Sequence, residues 1–228
     1  MGNIIIQKGY NGREVAASLN FAYVNEDYDV FFSDGDLRDF KRRPAVIIGT
    51  VEFLESIIWK HRPNYYPEWS KDFWFRAITE FLSFDDVKVG NWFIKPSDSY
   101  KRFDGRVIYE WSDTDPYPMY IPEDFPVNAS EVVEFVDEWR YYVANGKVLT
   151  SWWYQGSDET CENDPHGPRI DHMPIPEDYC GAIDMGILST GELALVEIQH
   201  PYAIGWYGEN SGFGKYIEFL EKGLNQLY

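Results

Sequence analysis

Two acids stand alone in strands that otherwise carry no charge. Ala182-Ile183-Asp184-Met185-Gly186 and, beyond a Thr190-Gly191 turn, Leu195-Val196-Glu197-Ile198-Gln199 read as the arms of a hairpin, with strands over Ala182 to Leu188 and Leu193 to Ile198. A carboxylate inside an apolar strand is costly unless a partner neutralises it, so any fold of this chain must bring one to each acid. One partner is a divalent cation. Magnesium takes oxygen ligands and usually sits between one or two carboxylates and substrate phosphates, and Gln199, two residues beyond Glu197, shares its face. The other is a structural ion pair with Arg140 or a lysine.

The rest of the chain must supply a scaffold for that hairpin. Of 228 residues, 44% are hydrophobic and 18% aromatic, a composition that folds and that favours half-buried sheets with pockets over helical bundles. Asn3 to Gln7 and Ala45 to Gly49 read as short, apolar, β-branched strands. A helix from Val51 to His61 and another from about Lys71 to Leu82 complete an expected α/β N-terminal lobe over residues 1–90. From residue 91 to 228 the pattern changes to strands and turns: Trp92 to Lys95, Arg106 to Trp111, Glu131 to Phe135, Glu138 to Ala144 and Val148 to Tyr154. Asn145-Gly146 is a hairpin signal, because both residues tolerate positive φ. Gly156 to Tyr179 is polar and reads as a surface excursion. Phe213, Ile217, Leu220, Leu224 and Leu227 then recur at the spacing of a closing helix. The fold class expected is α+β.

Charge narrows the partners. Acids number 38 against 20 bases, a formal net charge of -18, so a long phosphate backbone meets repulsion and general nucleic-acid binding is not expected. No apolar run approaches the ~20 residues that cross a bilayer, the first residues lack a signal-peptide core, and two cysteines make no disulfide framework. A cytoplasmic protein with no membrane partner is the expectation.

Two further segments carry chemistry. Phe93-Ile94-Lys95-Pro96 ends an apolar strand on an ammonium, just before the polar loop containing Lys101 and Phe103-Asp104-Gly105, a place where a phosphate can approach. The competing reading is a solvated lysine at a strand end. In Glu131-Val132-Val133-Glu134-Phe135-Val136-Asp137-Glu138-Trp139-Arg140 a strand bends and resumes, leaving Glu138 and Arg140 on one face; a surface ion-pair ladder explains the same pattern.

Taken in order, the Phe-Ile-Lys-Pro strand, the later Glu-x-Arg strand and the Asp hairpin leading to Glu-x-Gln resemble the ATP-grasp superfamily. More narrowly, Phe93 to Gly105, Ser130 to Val143 and Asp184 to Gly208 resemble a bacterial and phage clade of it noted for two arginines and a lysine. The resemblance implies ATP held between two α+β lobes, with Lys95 and Lys101 on its phosphates. Main-chain groups of the hinge around Glu131 to Val136, Val133 among them, would hold adenine, and Glu138 or Glu131 the ribose hydroxyls. Asp184, Glu197 and Gln199 would hold Mg2+, while Arg140 would steady the γ-phosphate or an acyl phosphate, making Arg140 and Lys101 the catalytic candidates. The implied activity is ADP-forming ligation of a small carboxylate to an amine or thiol. Two departures stand out: Gln199 occupies a position that is usually asparagine, and the segment before Asp184 lacks the arginine many such ligases carry, leaving that work to Arg140 or Arg169.

Two other readings compete. Cys161, His166, His172 and Cys180 are acceptable zinc ligands within one excursion, although their spacing matches no compact finger. Alternatively the chain is a non-catalytic module that binds nucleotide or protein, with Trp152-Trp153-Tyr154 and Trp206-Tyr207 as an aromatic platform.

Overall fold

The computed structural model describes residues 2–35, 44–57, 64–81, 83–87, 90–98, 102–109, 122 and 124–226. The chain opens with β1 (Gly2–Gln7), α1 (Arg13–Val24), β2 (Tyr28–Ser33), β3 (Val46–Ile48) and α2 (Val51–Ile57). The three strands form a parallel sheet in the order β2-β1-β3. Ile4, Ile5 and Ile6 are all fully buried, as a parallel strand requires when both faces are covered. Ile4 and Ile6 pack with Ala17 of α1 and with the closing helix, whereas Ile5 packs on the other face with Val51, Phe53 and Leu54 of α2.

A second sheet contains β4 (Ile78–Phe81), β5 (Trp92–Pro96), β6 (Arg106–Ile108) and β7 (Val127–Glu131), antiparallel in the order β4-β7-β5-β6. Its core holds Ile94, Ile108, Val127 and Ala129. The third contains β8 (Phe135–Ala144), β9 (Lys147–Gln155), β10 (Gly181–Leu188) and β11 (Leu193–Gln199), antiparallel in the order β11-β10-β8-β9. Asn145 and Gly146 turn β8 into β9 with φ of 50° and 69°, the left-handed pair expected of this dipeptide. The short helix α3 (Asp158–Asn163) follows, capped by Ser157, whose Oγ accepts from the Thr160 amide at 3.1 Å. Helix α4 (Phe213–Gln226) packs Ile217 and Leu220 against the first sheet and Tyr216 and Phe219 against Tyr142 of β8, tying the first and third sheets together. None of the described helices is long and apolar enough to cross a membrane.

Several local expectations are corrected. Lys71 to Leu82 is not a helix: a 3-10 segment spans Glu68–Phe73, Phe75 takes a left-handed φ of 49°, and Ile78–Phe81 is a strand paired with β7. The left-handed Phe75 interrupts a helix there, and Ile78–Phe81 takes its backbone partners from β7 instead. Val132, Val133 and Glu134 connect β7 to β8, so Glu131 to Phe135 is a junction between strands rather than one strand. The Gly156 to Tyr179 excursion is not purely superficial, since Ile170 and Met173 are buried against Tyr141, Ile183 and Met185. The helix from Val51 is described as far as Ile57; residues 58–61, the end of the strand expected at Arg106 to Trp111, and Leu227 lie outside the described residues. The division expected at residue 90 falls between β4 and β5, which belong to one sheet through β7.

Candidate active site

Alternation along β8 sorts its side chains into two sets. Trp139, Tyr141 and Val143 enter the core with Ile183 and Met185 of β10, which turns Glu138, Arg140 and Tyr142 to the opposite face. Asp184 lies on that same face, directly across from Arg140 on one side and Glu197 on the other. Glu197 reaches it through an irregularity. Asp184 pairs with Glu197 but Met185 pairs with Leu195, so Val196 is an extra residue in β11, a β-bulge. Without it Leu195 and Glu197 would share a face; with it Leu195 is buried in the core while Glu197 turns toward Asp184.

Arg140 grips Asp184 with two parallel hydrogen bonds, Nε to Oδ1 at 2.8 Å and Nη2 to Oδ2 at 2.7 Å, and both side chains are buried. Lys95 crosses from β5 in the second sheet and donates to Glu197 Oε2. Gln199 donates to Glu197 Oε1 at 2.5 Å and to Asp184 Oδ2 at 3.4 Å, bridging the two acids. Aromatic rings enclose the cations: Arg140 lies 5.0 Å from the Tyr207 ring centre and 5.7 Å from that of Tyr154, and Lys95 lies 5.0 Å from Tyr65. The two acids and two bases therefore form a quartet of zero formal charge, buried at Arg140 and Asp184 and half-buried at Lys95 and Glu197.

Its electrostatics follow from that burial. Desolvation pushes the Asp184 carboxyl above the ordinary carboxylate range, against the pull of Arg140. Glu197 feels the same desolvation, but the charge and hydrogen bond of Lys95 overcome it and hold the carboxyl below its usual range. Burial works against the charged form of Lys95, yet Glu197 raises the ammonium above its ordinary value. Burial also lifts Glu138, against the 2.5 Å hydrogen bond that its Oε2 accepts from the Tyr154 hydroxyl.

The quartet borders a cavity of about 280 Å3 between the second and third sheets, lined by Phe93, Lys95, Val133, Phe135, Glu138 and Glu197, among others. Of the residues singled out from sequence, Lys95, Arg140, Asp184, Glu197 and Gln199 converge, and Glu131, Val133 and Glu138 line the cavity with two of them. The Glu131 carboxylate accepts from the Ala77 amide at 2.8 Å. Lys101 lies outside the described residues. Arg169 is exposed and paired with Asp171 at 2.5 Å. The ion-pair alternative for the hairpin acids is present in both forms, arginine for one acid and lysine for the other.

The zinc constellation is not assembled. His166 Nδ1 lies 2.7 Å from the Ser151 carbonyl, Cys180 contacts Asn145, and His172 packs against Phe73, while no three His, Cys, Asp or Glu groups converge on a metal position among the described residues. Nor do the aromatics form one exposed platform: Trp206 is buried and Tyr154 stacks on Tyr207 with ring centres 4.9 Å apart. Arg76 was invisible in the sequence pattern. Its guanidinium donates to the carbonyls of Leu195 at 2.6 Å and Val196 at 3.0 Å, clasping the bulge that aims Glu197, and it also lines the cavity.

A parallel α/β layer joined to two antiparallel sheets that enclose a cation-bearing cavity is the architecture of the ATP-grasp fold. The chain is similar along 99% of its length to D-alanine–D-alanine ligase from Bacillus anthracis complexed with ATP, of which 98% is covered, with 14% identity and a TM-score of 0.52. It is likewise similar to a RimK domain ATP-grasp protein from Sphaerobacter thermophilus, with 11% identity, 96% of this chain and 99% of the other covered, and a TM-score of 0.52. Among curated protein sequences nothing matches the chain. The chain belongs to the ATP-grasp domains, in family 2 of the clade named for two arginines and a lysine, whose family model matches residues 71–213.

Proposed function

We propose that the chain is an ATP-dependent ligase that activates a small carboxylate as an acyl phosphate and transfers the acyl group to an amine or thiol. The observation that carries this reading is the neutral quartet of Lys95, Arg140, Asp184 and Glu197 beside the inter-sheet cavity. Adenine would lie against Val133 and Phe135, with hinge main-chain groups on its edge and Glu138 or Glu131 on the ribose. Lys95 and Arg140 exchange their carboxylate partners for phosphate oxygens, with Lys101 as a further cation. Such an exchange frees the Asp184 and Glu197 carboxylates, which a divalent cation would have to neutralise in turn.

The donor set fits magnesium. Asp184 and Glu197 offer carboxylate oxygens, Gln199 an amide oxygen, and an ionised carboxylate keeps lone pairs beyond those its hydrogen bonds use. When bound, the ion neutralises charge on the phosphates. The protein's own part is positioning and charge compensation, which is most of what phosphoryl transfer asks. A substrate carboxylate oxygen attacks the γ-phosphorus, the bond to the bridging oxygen breaks, and ADP leaves with that electron pair. The acceptor then attacks the acyl carbon, inorganic phosphate departs with the carbon–oxygen pair, and the acceptor's proton passes to solvent. Both cysteines are free thiols, which supports a reducing, cytoplasmic setting.

Hydroxylamine trapping tests the reading. With Mg-ATP and a panel of small carboxylic acids, at least one acid is expected to give a hydroxamate with stoichiometric ADP, and Lys95→Met is expected to abolish it. Magnesium-dependent nucleotide binding without ADP from any acid favours the second reading, a non-catalytic binding module. That reading is supported by the lack of an arginine in the segment just before Asp184 and by the exposed position of Arg169.

A further inference from the structure

Consecutive residues of the connection between β11 and α4 are each held at the backbone by a side chain from elsewhere in the fold. The Tyr216 hydroxyl of α4 donates to the Ile204 carbonyl, and the Tyr142 hydroxyl of β8 donates to that of Gly205 at 2.7 Å. The Trp206 amide donates to Glu14 Oε1 at 2.7 Å, and the Tyr207 amide donates to the Tyr142 hydroxyl at 3.2 Å. Just ahead of them Ala203 takes a left-handed φ of 55°, which an alanine keeps only where its surroundings over-determine it. What these contacts present to the site is Tyr207. Its ring stacks on Tyr154 with centres 4.9 Å apart, and the Arg140 guanidinium lies 5.0 Å from its centre.

Among the three side chains, Glu14 is the one that packing does not explain. Tyr142 and Tyr216 fill the core with Trp206 and Phe219, whereas a carboxylate that is 5% exposed brings a desolvation cost with it. It stands in the first turn of α1, where a helix N-terminus favours negative charge, and its charge strengthens the bond it accepts from the Trp206 amide. Two glycines make room for it: a Cβ at Gly12 would fall 1.9 Å from Oε2, and one at Gly205 3.2 Å from Oε1. Tyr10 lies beside it, its phenol raised by burial first and by the Glu14 charge second.

We propose that Glu14 is a positioning residue of the ligation site: through the Trp206 amide it fixes the loop that lays Tyr207 over Arg140. The N-terminal parallel layer is thereby tied to the cation assigned to the γ-phosphate. The role in ligation rests on the ligase reading above; the placement of Tyr207 rests on the contacts alone.

A tie that serves stability alone leaves the Arg140 end of the site untouched, and a double-mutant cycle on the full chain separates the two roles. Glu14→Ala, Tyr207→Leu and the double variant are titrated with Mg-ATP by calorimetry, at a temperature where melts show each to be folded. Each single variant is expected to weaken binding roughly threefold or more, the loss of one cation–π contact, and the double variant no further than Tyr207→Leu alone. Glu14→Gln, whose amide oxygen still accepts from Trp206, is expected to restore most of the binding. In hydrogen exchange, Glu14→Ala is expected to speed the Trp206 and Tyr207 amides about tenfold, and Glu14→Gln to speed Trp206 less. The proposal is overturned if either single variant binds Mg-ATP as the parent does, if the two losses multiply in the double variant, or if exchange at Trp206 is unchanged. Tyr207→Leu and Glu14→Gln keep it refutable where Glu14→Ala does not fold. A parent that binds no nucleotide removes the ligase reading instead. The placement of Tyr207 then stands if Glu14→Ala speeds its nitration by tetranitromethane severalfold, and falls if the rate is unchanged.

Discussion

Arg140→Met is the most informative single change, because it removes one half of a fully buried pair and leaves the other half in place. Asp184 is 1% exposed and depends on Arg140 for both oxygens; its remaining hydrogen-bond neighbour among the described residues is the Gln199 amide at 3.4 Å. Breaking such a pair from one side costs about 3–5 kcal/mol, since an uncompensated charge remains in the interior. At roughly 2–4 °C per kcal/mol for a chain of this size, the midpoint of thermal unfolding is expected to fall by about 6–20 °C. The pH dependence has a definite sign. Burial already raises the Asp184 carboxyl, and removing the arginine that pulls it down raises it further. A carboxyl whose folded pKa exceeds its unfolded value binds more protons in the native state, so its penalty grows as pH rises between those values and shrinks on acidification. The variant is therefore expected to recover part of its deficit relative to the parent at pH 5 compared with pH 8. Arg140→Met combined with Asp184→Leu removes both charges and is expected to regain most of the loss, because a well-packed apolar pair replaces a buried ion pair at little cost. Circular dichroism melts of the three proteins decide the matter. A single variant that loses under about 1 kcal/mol at every pH, or a double variant worse than the single, refutes the buried pairing.

The other expectations concern the same face. Magnesium chloride alone is expected to leave the melting temperature unchanged, since the quartet is already neutral, while ATP with magnesium raises it; saturation at a hundred times Kd is worth about 2.7 kcal/mol. A rise with magnesium alone contradicts the balanced quartet. Arg76→Lys is expected to weaken the dependence of nucleotide binding on magnesium at least threefold, because an ammonium cannot hold the Leu195 and Val196 carbonyls with the planar fork of a guanidinium; unchanged magnesium titrations would show that the bulge holds itself. Glu197, held below the usual carboxylate range by Lys95, contributes stability that is complete above its unfolded value near pH 4.5 and is lost as pH falls through its folded value, and Glu197→Gln is expected to flatten that part of an acid melt profile.

The hairpin acids, the strand-ending lysine and the Glu-x-Arg strand were legible because each is a charge placed against the grain of an apolar pattern, and such exceptions need partners. Which partner each acid takes was not legible. Arg140 is 44 residues from Asp184 and Lys95 is 102 from Glu197, distances along the chain that only strand register closes. The bulge at Val196 carries no glycine or other local signal, and Arg76 clasps backbone, which any side-chain pattern leaves out. Helix α1 was missed for a related reason: Gly12 precedes it without a side-chain cap, and its apolar stripe is diffuse. The aromatic residues of β9 gave a surface platform on paper because strand alternation does not reveal that Trp206 and Tyr207 return to meet them.

Helix α4 has a bearing on how the polypeptide is made. Ile4 and Ile6 leave the ribosome well before the residues that shield them, Ile217 and Leu220, which follow more than two hundred positions later. Until those arrive, one face of the earlier strand stays bare and oily, so the first layer cannot close before synthesis has passed Leu220.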